Sequence, residues 1–456
     1  MPIASTSPNR GKGRPTTRDS AASSLGMILN LIRLGKATTR QELERESELG
    51  RAVVADRLAT LSEIGLIVES ELGIASGGRA PRLVQFRKDR GCILVATLDQ
   101  SALGVGIADL SGRLFTEHHE AIDLGAAAVL TSQRILSLFD WLIAKHAPDT
   151  PVWGIAVSVP GPVTESDEVP FMNQTPSFLP AWEGFPFVET LVDRFGAPVW
   201  LRSSIETMTM GERFAGAGQT ARNMLFVKVG KRIGAGLIFD GRLYRGAQGA
   251  SGLIGQMPVQ ASDRTSTLDA IAGSDMIARE GLAAAQSGKS PLLADTLRRS
   301  GDVGAIEVSQ AAQSGDPASM EILGQSGRLI GHSVAMLANM LNPDLIVLSG
   351  NMAQTNDLLL AAVRETVYGE SHPLVTRDLM IVKSQMGSSA GLVGAAMVVV
   401  ESLFEPGCLK DWIAQGIPLA HPEFLTIREA SSLRHAGTIA EQDQKAIAPP
   451  TRRSTQ

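Results

Sequence analysis

Two arginine-bearing segments near the start of the chain carry its clearest chemistry. In Arg51-Ala52-Val53-Val54-Ala55-Asp56, the small side chains would let a helix approach base edges, and Arg51 can reach guanine or phosphate. In Ser76-Gly77-Gly78-Arg79-Ala80-Pro81, a flexible loop presents Arg79, with Arg82 and Arg87 behind it. A narrow minor groove attracts such an arginine. The candidate DNA-facing set is therefore Arg40, Arg51, Ala52, Val53, Ala55, Asp56, Arg79 and Arg82. Upstream, Gly11-Lys12-Gly13-Arg14-Pro15 is an extended basic segment suited to a minor groove, although a tail without function has the same composition.

Charge supports a polyanion partner for this end only. Residues 1–90 hold 15 Lys and Arg against 10 Asp and Glu, whereas the remainder holds 27 against 37. A basic head therefore precedes an acidic body. Other chemistries are poorly supplied. Cys92 and Cys408 make neither a disulfide framework nor a Cys-rich zinc site. The adjacent His118 and His119 would point to opposite faces of a strand, so no metal and no cofactor are expected. Aromatics at 4% argue against a base-stacking single-strand binder. No apolar run approaches the roughly 18 residues of a membrane span, and the polar start lacks a signal core. The expectation is a cytoplasmic chain with no membrane partner.

The elements that must position the arginines follow from periodicity. Leu25, Ile28, Leu29 and Ile32 recur at helical spacing up to Gly35. Thr39 and Glu42 form a capping-box pair, with Leu43 facing inward. After a turn at Leu49-Gly50, Val54, Leu58, Leu61 and Ile64 stripe a third helix, closed by Gly65. Two short strand-like runs, 66–70 and 82–86, flank the arginine loop. The pattern is a winged helix-turn-helix whose third helix enters the major groove by its first turns. A three-helix interaction module with a hairpin would share it. From Gly91 onward, apolar strands alternate with helices and glycine turns, which indicates α/β architecture.

Four motifs in that body occur in a telling order. They are Val159-Pro160-Gly161-Pro162-Val163, Gly234-Ala235-Gly236-Leu237-Ile238-Phe239-Asp240-Gly241, the run Leu341-Asn342-Pro343-Asp344 with its strand to Gly350, and Ala390-Gly391-Leu392-Val393-Gly394-Ala395-Ala396. Together, behind a winged helix, they resemble the ROK family of repressors, open reading frames and sugar kinases. The resemblance spans about residues 25–405. It implies a two-lobed actin-like (ribonuclease H-like) ATPase fold after the N-terminal winged helix.

Against the family's kinase pattern, the reactive positions depart. The base, expected in an Asn-Asp pair, falls on Ser203-Ser204, and serine at its ordinary pKa is no base at neutral pH. Glu206, two residues on, would point elsewhere on a helix. The first phosphate loop reads Asp99-Gln100-Ser101-Ala102-Leu103, without its glycines. The sugar-gripping segment reads Gly252-Leu253-Ile254-Gly255-Gln256, and the zinc loop is Ser262 to Thr267 with no Cys or His. Asn173, Trp182, Ser203, Ser204, Gln256 and Asp269 fall at or near the family's cleft-lining positions. They are the candidate effector-binding residues, with Trp182 able to stack on a sugar face. The other reading is a cleft filled by its own side chains, with Trp182 in the core.

The expected organisation is a basic disordered arm (1–20), a winged helix-turn-helix (21–88), one lobe (89–205 plus 387–405), a second lobe (206–386) and a mostly disordered tail (406–456), in which Leu409–Ile413 adds one helical turn. The expected function is a DNA-binding transcriptional regulator, a repressor, acting on a double-stranded operator as a homodimer or dimer of dimers. Its body senses a small carbohydrate-like effector and transfers no phosphate. A ligand-independent dimeric repressor and an active sugar kinase are the alternatives.

Overall fold

The computed structural model describes residues 17–70, 82–99, 102–125, 127–163, 182, 185–261, 264–422, 424–425 and 428–429. Three helices open the chain: α1 (Thr17–Arg33), α2 (Arg40–Ser47) and α3 (Arg51–Glu63). Helix α1 begins at Thr17, so the last residues of the expected basic arm are helical. Its apolar face, Leu25, Ile28, Leu29 and Ile32, is buried, and Gly35 stops it with a φ of +66° that suits a residue without Cβ. Thr39 and Glu42 cap α2 reciprocally. The backbone N–H of Thr38, with that of Thr39, holds the Glu42 carboxyl below its usual range. In α3, Val54, Leu58 and Leu61 face inward. Strands β1 (Ile67–Ser70) and β2 (Leu83–Phe86) pair antiparallel, and Val84 N–H donates to the Thr38 carbonyl at 2.7 Å. The wing is thereby tied to the start of α2.

Two five-stranded sheets follow, built alike. The first holds β3 (Cys92–Leu98), β4 (Ala102–Asp109), β5 (Leu114–Ala121), β6 (Val152–Val159) and β7 (Val199–Ser203), in the order β5-β4-β3-β6-β7. Helices α4 (Ala128–His146) and α5 (Phe187–Phe195) make its crossovers. The second holds β8 (Met224–Val229), β9 (Ile233–Phe239), β10 (Arg242–Tyr244), β13 (Leu345–Ser349) and β14 (Met380–Lys383), in the order β10-β9-β8-β13-β14. A small hairpin of β11 (Pro258–Ala261) and β12 (Arg264–Thr267) lies between them in sequence. In both sheets an antiparallel meander of three strands continues into two parallel ones. This duplicated layout is the two-lobed actin-like arrangement.

Two helices pack between the sheets. Helix α6 (Ser204–Ala215) lies on the second sheet, and the helix Ser389–Leu403 lies on the first. Their backbones almost touch. A Cβ on Gly394 would fall 1.6 Å from the Thr207 carbonyl oxygen, and one on Gly211 would fall 2.1 Å from that of Ala390. The Ser389–Leu403 helix is apolar nearly all round because it is buried on all sides. Among the described residues no single helix is long and apolar enough to cross a membrane.

The segment after residue 405 corrects the expectation of a disordered tail, at least as far as the described residues run. Pro406–Trp412 is a helix capped by Glu405, and Leu409, Trp412 and Ile413 are fully buried. It wedges between head and first lobe. Leu409 packs on Gly26 of α1, and Asn30 Nδ2 donates to the Phe404 carbonyl at 3.0 Å. Arg33 sits over the Phe404 ring at 4.9 Å, and Phe86 meets that ring edge-on at 5.5 Å. Trp412 meets Trp153 of β6 edge-on at 5.5 Å and donates its Nε1–H to the Leu403 carbonyl. Head, first lobe and this segment therefore share one apolar core.

Truncating Trp412 to Ala is expected to cost about 3–5 kcal/mol, the range for a large buried aromatic. The same change at Trp141, whose ring is 46% exposed, should cost far less. Chemical denaturation of both variants checks this, and equal losses would contradict the buried weld. His421, in the same segment, is fully buried beside Trp200 and the Ser402 carbonyl, and burial holds its imidazole below the ordinary value. The unfolded chain takes up a proton near about pH 6.5, while the folded chain resists it, so stability falls as pH drops below that value. The wild type should lose more stability between about pH 7 and pH 5 than His421→Gln. Parallel pH profiles would show that His421 does not carry the effect.

Candidate functional site

The head presents a polar and small-residue face at the N-terminal turns of α3. Arg51, Ala52 and Asp56 are exposed, Val53 is 38% exposed, and Ala55 is half-buried. The buried stripe Val54, Leu58, Leu61 fixes which way these residues face. Arg51, on the first turn, makes no ion pair among the described residues. Asp56 pairs with Arg57, which also donates to Ser24 of α1 at 2.8 Å. Arg40 and Arg82 converge on Glu69 of β1, at 2.6 Å and 3.7 Å. Of the set expected to face DNA, the structure thus gathers Arg40 and Arg82 around Glu69. Arg79 lies outside the described residues.

The start of α6, the β8–β9 turn and the segment 245–256, where the family resemblance puts the cleft, come together: Ile205 lies against Gly234, and the Ala235 N–H donates to the Gly252 carbonyl. Ser203 is buried, and its hydroxyl is spent as the N-cap of α6, accepting from the Glu206 N–H at 3.2 Å. Ser204 follows, half-buried, on the first turn. Glu206 turns back: one carboxylate oxygen accepts from the Ser203 N–H at 2.9 Å, and the other accepts from Arg245 Nε. The Glu206 side chain is 9% exposed and that of Arg245 22%. The pair therefore sits largely out of water, where the attraction is strong and either group left alone would be costly. Lys228 of β8 reaches Asp99, just after β3, at 3.3 Å, joining the two lobes by an ion pair.

Gln256 and Asp269 come together, but with each other. Gln256 Nε2 donates to Asp269 Oδ2 at 2.8 Å, the Ile233 N–H donates to Oδ1 at 2.6 Å, and Arg232 lies 3.3 Å away. Asp269 thus pins the β8–β9 turn to the segment carrying Gln256. Leu253 stands 48% exposed nearby. Trp182 corrects the expectation of a stacking platform. It is 3% exposed, packs edge-on against Phe185 and Phe187 in the core of the first lobe, and points its Nε1–H toward the Leu124 carbonyl at 3.4 Å. Asn173 lies outside the described residues. No group of three or more His, Cys, Asp or Glu side chains among the described residues could hold a metal ion.

Sequence reading missed three participants. Arg245 is 39 residues from Glu206, and nothing local announces their pairing. Lys228 and Asp99 are 129 residues apart. Glu69 was readable, since a lone acid in an apolar strand beside a basic wing is an anomaly. Replacing Asp269 by Ala should loosen the β8–β9 turn, because the Ile233 N–H and Gln256 lose their acceptor, at about 1–3 kcal/mol for a buried donor left unsatisfied. Faster amide exchange at 230–236, with the first sheet unchanged, is the expected result. Unchanged exchange there would show that Asp269 does not hold the turn.

Comparison with known proteins places this geometry. The putative xylose repressor of Caldicellulosiruptor sp. (strain Rt8B.4) is 25% identical over 391 residues, covering 83% of this chain and 95% of the relative. The crystal structure of a ROK family transcriptional regulator, described as a homolog of the E. coli MLC protein, superposes with a TM-score of 0.72. It shares 22% identity and covers 87% of this chain and 100% of its own. A ROK family glucokinase from Streptomyces griseus, in complex with glucose and AMPPNP, matches the same fold over 68% of this chain and 99% of its own, with a TM-score of 0.55 and 21% identity. The family model for ROK matches residues 124–402, more than half of the sequence, and the chain belongs to the ROK family.

Proposed function

We propose that the chain is a sugar-responsive transcriptional repressor that acts in the cytoplasm on a double-stranded DNA operator and does not transfer phosphate. The observation that carries this reading is the head. A capped three-helix unit with a wing exposes Arg51, Ala52 and Val53 on the turns that a helix-turn-helix inserts into the major groove. A relative of similar length named as a xylose repressor supports the sugar class. The cleft supports sensing over catalysis. Serine stands where the family's kinases carry a base, and the nearby Glu206 is already neutralised by Arg245 and the Ser203 N–H. Ser204, Gln256 and the exposed Leu253 would offer a small carbohydrate neutral hydrogen-bond partners and one apolar contact.

In this mechanism two chains bind a palindromic operator as a homodimer or dimer of dimers. Effector binding closes the cleft, and the body rotates the winged helices out of register with their half-sites. The shared core of head and first lobe lets a lobe movement carry the head with it. One observation favours a second reading, a ligand-independent repressor: the polar groups of the cleft are largely paired among themselves.

The test is selection of bound sequences from random duplex DNA with the full chain at fixed salt, repeated with pentoses, hexoses and N-acetylhexosamines. The expected result is a palindromic motif with half-sites about one helical turn, or a multiple, apart, released by one sugar class. Arg51→Ala should relax base choice at one position of each half-site, by about 1–3 kcal/mol. A motif that no sugar releases would select the ligand-independent reading. Turnover of ATP with any sugar, or no enriched motif, would overturn the proposal.

A further inference from the structure

We infer that Glu69 is a positioning residue that sets how well the head distinguishes its operator from other DNA. The inference rests on the DNA-binding reading above. Glu69 lies in β1 opposite Val84 of β2, and the wing is pinned to α2 by the Thr39–Leu83 bridge. Arg40 of α2 reaches Oε1 at 2.6 Å, and Arg82, which leads into β2, reaches Oε2 at 3.7 Å. The carboxylate is 21% exposed, while the two guanidinium groups are 53% and 68% exposed. Each oxygen of one acid therefore faces an arginine from a different element, and the arginines keep their outer edges in water. Other acids of the head pair differently: Arg45 with Glu46, Arg57 with Asp56 and Arg87 with Asp89 are short-range surface pairs.

The consequence follows from the charges. Arginine is drawn to any phosphate, and that attraction supplies most binding to unrelated DNA. Glu69 cancels about one of the two positive charges, holds the Arg40 guanidinium by a 2.6 Å hydrogen bond and draws that of Arg82 to 3.7 Å. On the operator, the phosphates lie where the held arginines already point. In any other register the arginines must leave Glu69 to follow the phosphates, which costs the ion pairs. The acid therefore penalises wrong sites more than the right one.

The experiment compares wild type with Glu69→Gln, a neutral variant of the same shape, on the selected operator and on a scrambled duplex of equal length. Affinity is measured from about 50 to about 200 mM salt. Glu69→Gln should bind the scrambled duplex more tightly, by as much as about eightfold at about 0.1 M salt, with a log–log salt slope steeper by about 0.9, the value for one additional phosphate contact. Operator affinity should rise less, so the ratio between the two narrows. Adding Arg40→Gln to Glu69→Gln removes one charge of each sign and should restore the wild-type slope. A thermal melt of each variant confirms that the head stays folded. An unchanged slope, equal gains on both duplexes, or a slope that stays steep in the double variant would overturn the role of Glu69 while leaving the DNA-binding reading intact. If the wild type binds neither duplex in a salt-dependent way, the reading of the head fails and this inference fails with it.

Discussion

Two helix backbones in contact between the sheets set the frame for everything else. Helix α6 and the helix Ser389–Leu403 can approach so closely only because Gly211 and Gly394 carry no side chain at the crossing. Each helix is also glued to a different sheet, with Thr209 of α6 over Gly236 of β9 and Val399 over Gly154 of β6. The lobes thus meet along this backbone contact, inside one apolar cluster that takes side chains from both sheets, among them Ile93, Trp153, Phe226 and Val347. Any side chain inserted there would push the sheets apart and shift both ends of the axis at once. One end of α6 carries Ser203, Ser204 and Glu206 into the cleft, and the far end of the other helix delivers Phe404 to the head. The same contact therefore fixes the geometry of the cleft and the placement of the winged helix.

What could be read from the sequence was local or periodic. The capping box at Thr39 and Glu42, the stripe Val54-Leu58-Leu61 and the glycine that ends α1 each act within a few residues, so spacing alone exposes them. The alternation of strands and helices, with the family's glycine turns, was enough for the two-lobed fold. The cleft was less legible, because its decisive contacts join distant positions. No spacing rule links Glu206 to Arg245, or Asp99 to Lys228. Trp182 shows the opposite difficulty: a family position near the cleft is here turned into the core by Phe185 and Phe187. The segment after Glu405 was legible only as one helical turn at Leu409–Ile413, within an expected mostly disordered tail. Leu409, Trp412 and Ile413 make one helical turn of apolar spacing, too short a signal to separate from a tail.

The polar groups around the start of α6 show how a shared scaffold can be braced from within. Its polar groups remain numerous, but they are committed to holding the scaffold: Ser203 caps, Glu206 braces Arg245, and Asp269 fastens a turn. A group engaged in this way holds neighbouring segments together.

The wedge of Pro406–Trp412 also bears on how the molecule comes into being. Asn30 and Phe404, joined by a hydrogen bond, are separated by 374 positions. During synthesis the head emerges first, and the surface of α1 around Gly26 waits uncovered until the last part of the body has left the ribosome. The head is therefore made before the segment that orients it. Until that contact closes, the surface of α1 around Gly26 has nothing to hold it against Leu409 and Phe404.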